Sequence, residues 1–341
     1  MRLKRVTMQE IADACGLSRN TVSKAFNGRG SVPETTKNLI FAKAQELGYY
    51  QHSAGGEPVQ KNTGTIAVLT QHKLLSHNFG AFFITSFTDR ISRFGYTMKM
   101  YEISREEITA KKLPPHFDPK ETAGILGIEL FDREYIEMIC SLKLPTIFVD
   151  GYPRARESLI NCDFISMENI TSETILVSRM IEHGAKKIGF VGDYEHCNSF
   201  YERWIAYCGC LYKSGLSVNR DLCILKEDGL QYENIEWLLE QLDAMPEMPD
   251  AFACANDYLA IHLMTALKEK GLSIPEDVMV SGFDGSMEAA LVQPSLSSAQ
   301  IPSSDIGRLS AFFLAQRIQY PDFPLQWVYV KTIPMYGEST R

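Results

Sequence analysis

The chain has no run approaching the ~20 uninterrupted apolar residues that a membrane-spanning helix needs. Its basic, polar start is followed by no apolar stretch, which argues against a secretory leader and sets the expectation of a cytoplasmic protein. No pair of cysteines has metal-ligand spacing. Cys15, Cys140, Cys162, Cys197, Cys208, Cys210, Cys223 and Cys254 are scattered, only Cys208-Gly209-Cys210 is close-set, and all eight are expected to be reduced, buried thiols. The seven histidines form no ligand cluster either, so neither a metal nor a cofactor is assigned. No Gly-x-Gly-x-x-Gly follows a strand-like run, and there is no phosphate loop with Lys-Ser/Thr and no Gly-x-Ser-x-Gly. These absences argue against an enzyme, and no catalytic residue is assigned.

The most informative stretch is near the start. Thr7 and Glu10 have the spacing of a capping box, in which each side chain satisfies a free amide at a helix start, and Ile11 and Ala14 supply an apolar face. Gly16 can end that helix sharply, and Ser18 can cap a second one that buries Val22 and Phe26. Two short helices meeting at such a turn predict a helix-turn-helix, whose second helix enters the DNA major groove. Arg19 and Asn20 in its first turn, with Lys24 one turn on, are the expected base contacts: Arg or Lys addresses guanine and Asn addresses adenine. Thr7, Ser18, Thr21, Ser23 and Asn27 are the expected phosphate contacts. Charge agrees with this division. Residues 1–50 hold eight Lys/Arg against four Asp/Glu, a net +4, which leaves −12 for the rest of a chain whose total is −8. A basic tip suits phosphate contact, and an acidic body suits solubility.

At 341 residues the chain is too long for one core and suits a small module followed by a two-lobed one. The intervening polar stretch, with Gly55, Gly56 and Pro58, reads as a linker. Beyond it, strand-like runs at 65–70, 97–102, 124–128, 146–149, 187–191, 251–254 and 278–282 alternate with helical stretches at 79–94, 171–183, 204–214, 235–244 and 257–270. That alternation predicts an α/β fold with parallel, doubly wound sheets. Ligands bind outside the carboxyl ends of such strands, where Asp150, Asp193, Asn256, Asp257 and Asp284 stand. Taken singly, each is equally explained as a helix cap or turn residue.

Val6 through Asn27 closely resembles the headpiece of the lactose-repressor/galactose-repressor (LacI/GalR) family, Val-Thr-x-x-(Asp/Glu)-(Ile/Val)-Ala followed by Gly-(Val/Leu)-Ser-x-x-Thr-Val-Ser, with a third helix over 34–48. The resemblance extends along the body. Glu202-Arg203 with Tyr207 is similar to the family's Glu-Arg motif, Ala255-Asn256-Asp257 to its Ala-Asn-Asp motif, and Pro275 through Asp284 to its Pro-(Glu/Asp)-Asp-Val-x-Val-x-Gly-(Phe/Tyr)-Asp. It implies a helix-turn-helix domain over 1–50, a linker over 51–63, and a periplasmic-binding-protein-like effector and dimerisation domain over 64–341. In the latter, lobe 1 is expected at about 64–162 and 293–323, and lobe 2 at about 163–292 and 324–341. It further implies an effector held between the lobes by Arg203, Asn256 and Asp284, with Asp150 and the ring of Phe79 as additional candidates and Asp257 as a helix cap. Carboxylates and a guanidinium converging there suit a sugar or related metabolite.

The function so implied is a transcriptional repressor that binds a pseudo-palindromic operator in double-stranded DNA as a homodimer, without membrane association. Gln51, His52, Gly55, Gly56 and Pro58 replace the Pro, Asn, Ala, Arg and Leu of the family's hinge helix. Two glycines at about 1 kcal/mol each and an interior proline at about 3 kcal/mol predict that no stable hinge helix forms. A regulator with a degenerate effector site that answers to a protein partner, and a free solute-binding protein, are the alternatives.

Overall fold

The computed structural model describes residues 7–27, 32–33, 35–37, 39–40, 43, 64–71, 78–157, 160–227 and 229–340. They fall in two compact units, residues 1–60 and 61–341. In the first, helix α1 (Met8–Cys15) opens on the expected capping box: Thr7 Oγ1 accepts from the Glu10 amide at 3.3 Å, and the Glu10 carboxylate accepts from the Thr7 amide at 2.7 Å. Gly16, at φ 64°, takes the left-handed conformation that costs glycine least, and the Leu17 amide closes back on the Ala12 carbonyl. Helix α2 (Arg19–Asn27) starts where Ser18 Oγ accepts from the Thr21 amide at 3.1 Å. Ile11, Ala12, Val22, Ala25, Val32 and Ile40 close a small core. The side chain of Phe26 lies outside the described residues, as does much of the third helix expected over 34–48, of which residues 35–37, 39–40 and 43 are helical. The linker over 51–63, and with it the expected absence of a hinge helix, lies wholly outside them.

The second unit carries a six-stranded parallel sheet built from β1 (Thr65–Thr70), β2 (Thr97–Glu102), β3 (Thr122–Ile128), β4 (Thr146–Val149), β5 (Asp163–Met167) and β10 (Trp327–Val330), in the order β10-β5-β4-β3-β1-β2. Its central strands β1, β3 and β4 are largely apolar because both faces are covered, and their successive side chains go to opposite cores. Ile66, Val68, Leu126, Ile147, Val149 and Ile165 pack under α3 (Asn78–Arg93) and α11 (Ser303–Gln319). Ala67, Leu69, Ile125, Phe148 and Phe164 pack under α4 (Arg105–Thr109) and α5 (Arg133–Ser141). Helices α3 and α11 approach at Gly307, where a Cβ would lie 2.4 Å from the Phe83 carbonyl oxygen.

The second lobe has a parallel sheet in the order β6 (Ile188–Val191), β7 (Ala251–Cys254), β8 (Met279–Ser281). Around it run α6 (Ile170–Glu182), α7 (Asn198–Lys213), α8 (Ile235–Asp243), α9 (Asp257–Glu269) and α10 (Met287–Leu291), over a separate core that includes Phe190, Trp204, Tyr207 and Phe252. An antiparallel pair, β9 (Ser298–Gln300) with β11 (Ile333–Met335), lies in the crossover region.

The expected lobe limits are corrected at two places. Strands β5 and β10, expected in lobe 2, pair with each other and with β4 in the first sheet, Phe164 lying opposite both Phe148 and Trp327. The reason is local: after α11 covers the sheet, Arg317 donates from Nε and Nη2 to the Asp163 carboxylate at 2.7 and 2.9 Å, and Asp163 also accepts from the Gln326 amide at 2.8 Å, which holds the returning chain beside β5. The expectation of eight reduced thiols is corrected as well. Cys140 at the end of α5 and Cys162 just before β5 are joined by a disulfide, because the fold brings their Cα atoms to 6.3 Å; the other six are free.

Candidate functional site

On α2, the residues packed inward are Val22 and Ala25. Arg19, Asn20 and Lys24 are exposed, and at 100° per residue they share the face opposite that core with Ser23. The arrangement presents a guanidinium, an amide and an ammonium over little more than one turn, a donor set matched to purine edges. Thr21 is half-buried and its hydroxyl pairs with Ser18 Oγ at 2.8 Å, while Thr7 Oγ1 is engaged with Glu10. Thr7 and Ser18 therefore act as helix caps in this structure, and the Thr21 hydroxyl is paired with the second of them. The Asn27 side chain lies outside the described residues.

In the body, Arg203 and Asp284 meet where the two lobes join, and Asp150 is close enough to feel the Arg203 charge. Arg203, in the second turn of α7, is 2 % exposed. Its Nε donates to Asn169 Oδ1 at 3.0 Å, Nη1 donates to the Ala255 carbonyl and lies 3.6 Å from Asp284 Oδ1, and the guanidinium stacks 3.8 Å from the Phe283 ring centroid. Among the described residues Nη2 has no hydrogen-bond acceptor. Asp284 follows β8 in a left-handed conformation, φ 129°, unusual for a side-chain-bearing residue. Burial pushes its carboxyl up to about 7, against the pull of Arg203 and with the push of Asp257 and Glu129. Asp150, at φ 60° after β4, is also raised, first by burial, with Ser199 and Arg203 opposing; its carboxylate accepts from Ser166 Oγ.

The capping role implied for Asp257 falls to Asn256. Asn256 Oδ1 accepts from the Leu259 amide at 2.9 Å and so caps α9. Asp257 is buried and holds the crossover, accepting from the Ser286 amide at 2.7 Å and from Ser298 Oγ. Phe79, in the first turn of α3, stacks on Phe83 with centroids 5.9 Å apart and packs against the first lobe's core.

Three participants were not among the expected effector residues, although Glu202 stands in the Glu-Arg motif. Glu129 ends β3 in the same way that Asp150 ends β4, with φ 53°, and burial followed by Asp150 pushes its carboxyl up to about 7. Inspecting the residue after the apolar run 124–128 would have found it. Asn169 and Glu202 are a different case. Asn169 Nδ2 donates to Glu202 Oε2 at 2.8 Å, and Glu202 Oε1 accepts from Tyr329 of β10 at 2.6 Å and from Arg156 at 3.3 Å. Arg203 is thereby wired through Asn169 and Glu202 to the first lobe. Further contacts span the lobes at Arg154–Glu195, 2.9 Å, and Phe131–His196, ring centroids 4.9 Å apart.

Residues 7–51 match the model of the bacterial regulatory proteins of the lacI family, and residues 177–340 match the periplasmic binding protein-like domain. The chain belongs to the LacI family. It is a DNA-binding transcriptional regulator with an α/β effector-type body. It is 25% identical over 324 residues to the HTH-type transcriptional regulator CelR of Thermobifida fusca, covering 93% of each chain. It is 26% identical over 328 residues to the HTH-type transcriptional regulator GalR of Streptococcus thermophilus, covering 92% of this chain and 93% of that one. Two solved structures share the fold: a transcriptional regulator CelR–cellobiose complex, TM-score 0.71 at 23% identity, covering 98% of this chain and all of that one, and the Lac repressor dimer bound to operator and the anti-inducer ONPF, TM-score 0.68 at 18% identity, covering 99% of each. No helix among the described residues of this LacI-family regulator is long and apolar enough to cross a membrane.

Proposed function

We propose that this LacI-family regulator is a repressor that binds a pseudo-palindromic operator as a homodimer and is controlled by a small polyhydroxylated effector, sugar-like in class, bound between the lobes. The observation that carries the reading is the placement of Arg203. A guanidinium almost wholly buried at the lobe junction is held by groups of the second lobe and of the crossovers, with one edge unclaimed and a carboxylate of a strand end beside it. Such a group rewards a ligand oxygen, and because Asn169 and Glu202 link it to Tyr329 and Arg156, occupancy favours one lobe arrangement over another. The similarity to a CelR–cellobiose complex supports the sugar-like class.

The headpiece reads bases with Arg19, Asn20 and Lys24 and touches phosphates through Ser23, Asn27 and the turn residues Thr7, Ser18 and Thr21. Two copies on a two-fold axis double those contacts, hence the dimer and the pseudo-palindrome. Residues 1–50, 51–63 and 64–341 are taken as the reading head, linker and effector body. The test is salt-dependent binding to duplexes from the regulator's own chromosomal neighbourhood, with sugars added. Failure of any duplex to bind more tightly than random sequence removes the reading, and so does an effector response that survives Arg203→Ala unchanged.

A further inference from the structure

The disulfide of the first lobe closes a loop that reaches the second lobe. Cys140, in the last turn of α5, and Cys162, just before β5, are 22 positions apart. Between them run β4 and then the stretch 150–156, which supplies contacts across the junction. The Gly151 carbonyl accepts from the Asn198 amide at 2.7 Å, Arg154 pairs with Glu195 at 2.9 Å and lies over the Tyr201 ring, and Arg156 pairs with Glu202 at 3.3 Å. The Arg154 and Arg156 side chains are about half exposed, so solvent screens both pairs and the hold of this stretch on the second lobe leans on its covalent tie to α5. The lobe does not need that tie for want of a core, since apolar clusters cover its sheet on both faces. A transcriptional regulator also works where its DNA is, among small thiols that keep cysteines reduced, and disulfides there are usually transient and regulatory. Cys140 is half-buried and Cys162 buried, so an attacking thiol meets the Cys140 sulfur first.

We infer that Cys140 and Cys162 form a reversible thiol–disulfide site, exchanging with small-molecule thiols and disulfides, whose state sets how firmly 150–156 holds the second lobe and thereby operator affinity. The last step rests on the reading above that lobe arrangement governs DNA binding. In reduction, a small thiolate attacks Cys140 Sγ, breaks the bond to Cys162 and leaves Cys162 as a thiolate that takes up a proton. A second small thiolate then displaces the first from Cys140, which is protonated in turn. The protein gains two electrons and two protons, and two small thiols become one small disulfide; oxidation is the same exchange in reverse.

The test equilibrates the full-length protein in mixtures of glutathione and glutathione disulfide, traps free thiols with a maleimide and maps them by mass spectrometry. Cys140 and Cys162 are expected to pass together between free and bonded as the mixture changes, while the other six cysteines form no pair. Trypsin cleavage after Arg154 and Arg156 is expected to be about five-fold faster or more in the reduced protein, because loss of loop closure lets the stretch open. Affinity for an operator duplex from the regulator's own chromosomal neighbourhood is expected to differ about five-fold or more between the two states. Cys140→Ser is expected to behave as the reduced protein in both assays whatever the buffer. A bond that survives fully reduced glutathione overturns the inference, as does one that never forms in the oxidised mixtures. Cleavage or operator affinity that is the same in both states overturns it too, and these comparisons use the parent protein, so they hold even if the variant misfolds. If operator affinity ignores the buffer but answers an effector through Arg203, the switch is refuted while the effector reading stands.

Discussion

Glu173 lies on α6 with no exposed surface, and neither carboxylate oxygen has a hydrogen-bond partner. Burial pushes its carboxyl up to about 8 from an ordinary 4.5, with Arg203 pulling the other way. The folded protein therefore keeps a proton there that the unfolded chain releases across the window between those two values, so stability is lost as pH rises through it. At about 1.4 kcal/mol per pH unit once the unfolded chain has ionised, the loss between pH 5 and pH 8 is about 3 kcal/mol, a large fraction of a typical folding free energy. Glu173→Gln keeps the shape and removes the titration. Urea unfolding at pH 5, 6, 7 and 8 isolates the effect, because Glu129, Asp150 and Asp284 titrate in both proteins and cancel in the difference. All three tryptophans, Trp204, Trp237 and Trp327, belong to the body, so intrinsic fluorescence follows that unit alone. The stability gain from Glu173→Gln is expected to be small at pH 5 and to grow to about 3 kcal/mol by pH 8. Stability curves that stay parallel across this range would refute the claim that a neutral, unpartnered acid sits behind Arg203.

Asn20→Ala is expected to relax preference at one operator position by about 1–3 kcal/mol while leaving the salt dependence of DNA binding nearly unchanged, which affinity measurements over a single-base operator series would check. Gly307→Ala drives a methyl into the Phe83 carbonyl and is expected to cost about 1–3 kcal/mol in the same fluorescence-detected unfolding, with no change if α3 and α11 can separate freely. Arg203→Ala leaves Asp284 and Asn169 without their partner and is expected to lower body stability by about 3–5 kcal/mol as well as removing the effector response. Thr7→Ala breaks the capping box and is expected to cost the headpiece about 1 kcal/mol, seen as reduced helicity of that unit.

The signals that could be read in advance were those confined to a few neighbouring residues. Thr7, Glu10, Gly16 and Ser18 announce two helices because caps and left-handed turns are satisfied within four residues, and the capping box formed as expected. Runs such as 65–70 and 146–149 were visible as strands because a sheet covered on both faces is apolar without interruption. Strand β5, Asp163-Phe164-Ile165-Ser166-Met167, escaped notice because Asp163 and Ser166 break the run, and what keeps them buried is remote: Arg317 for the first, and for the second the Asp150 carboxylate. Glu129 could have been found by applying to β3 the same strand-end rule that singled out Asp150.

The amino-acid order by itself settled a basic two-helix reading head and an alternating α/β body, since both follow from backbone preferences and apolar periodicity over short spans. Only the tertiary structure decided which strands share a sheet, that Arg203 is sunk at the junction, and that Glu202 joins Asn169, 33 positions away, to Tyr329, 127 positions away. Partners so distant in the chain are chosen by how sheets and crossovers pack. Local sequence cannot encode that choice, because the free energy of a buried charge depends on every group that folding brings around it.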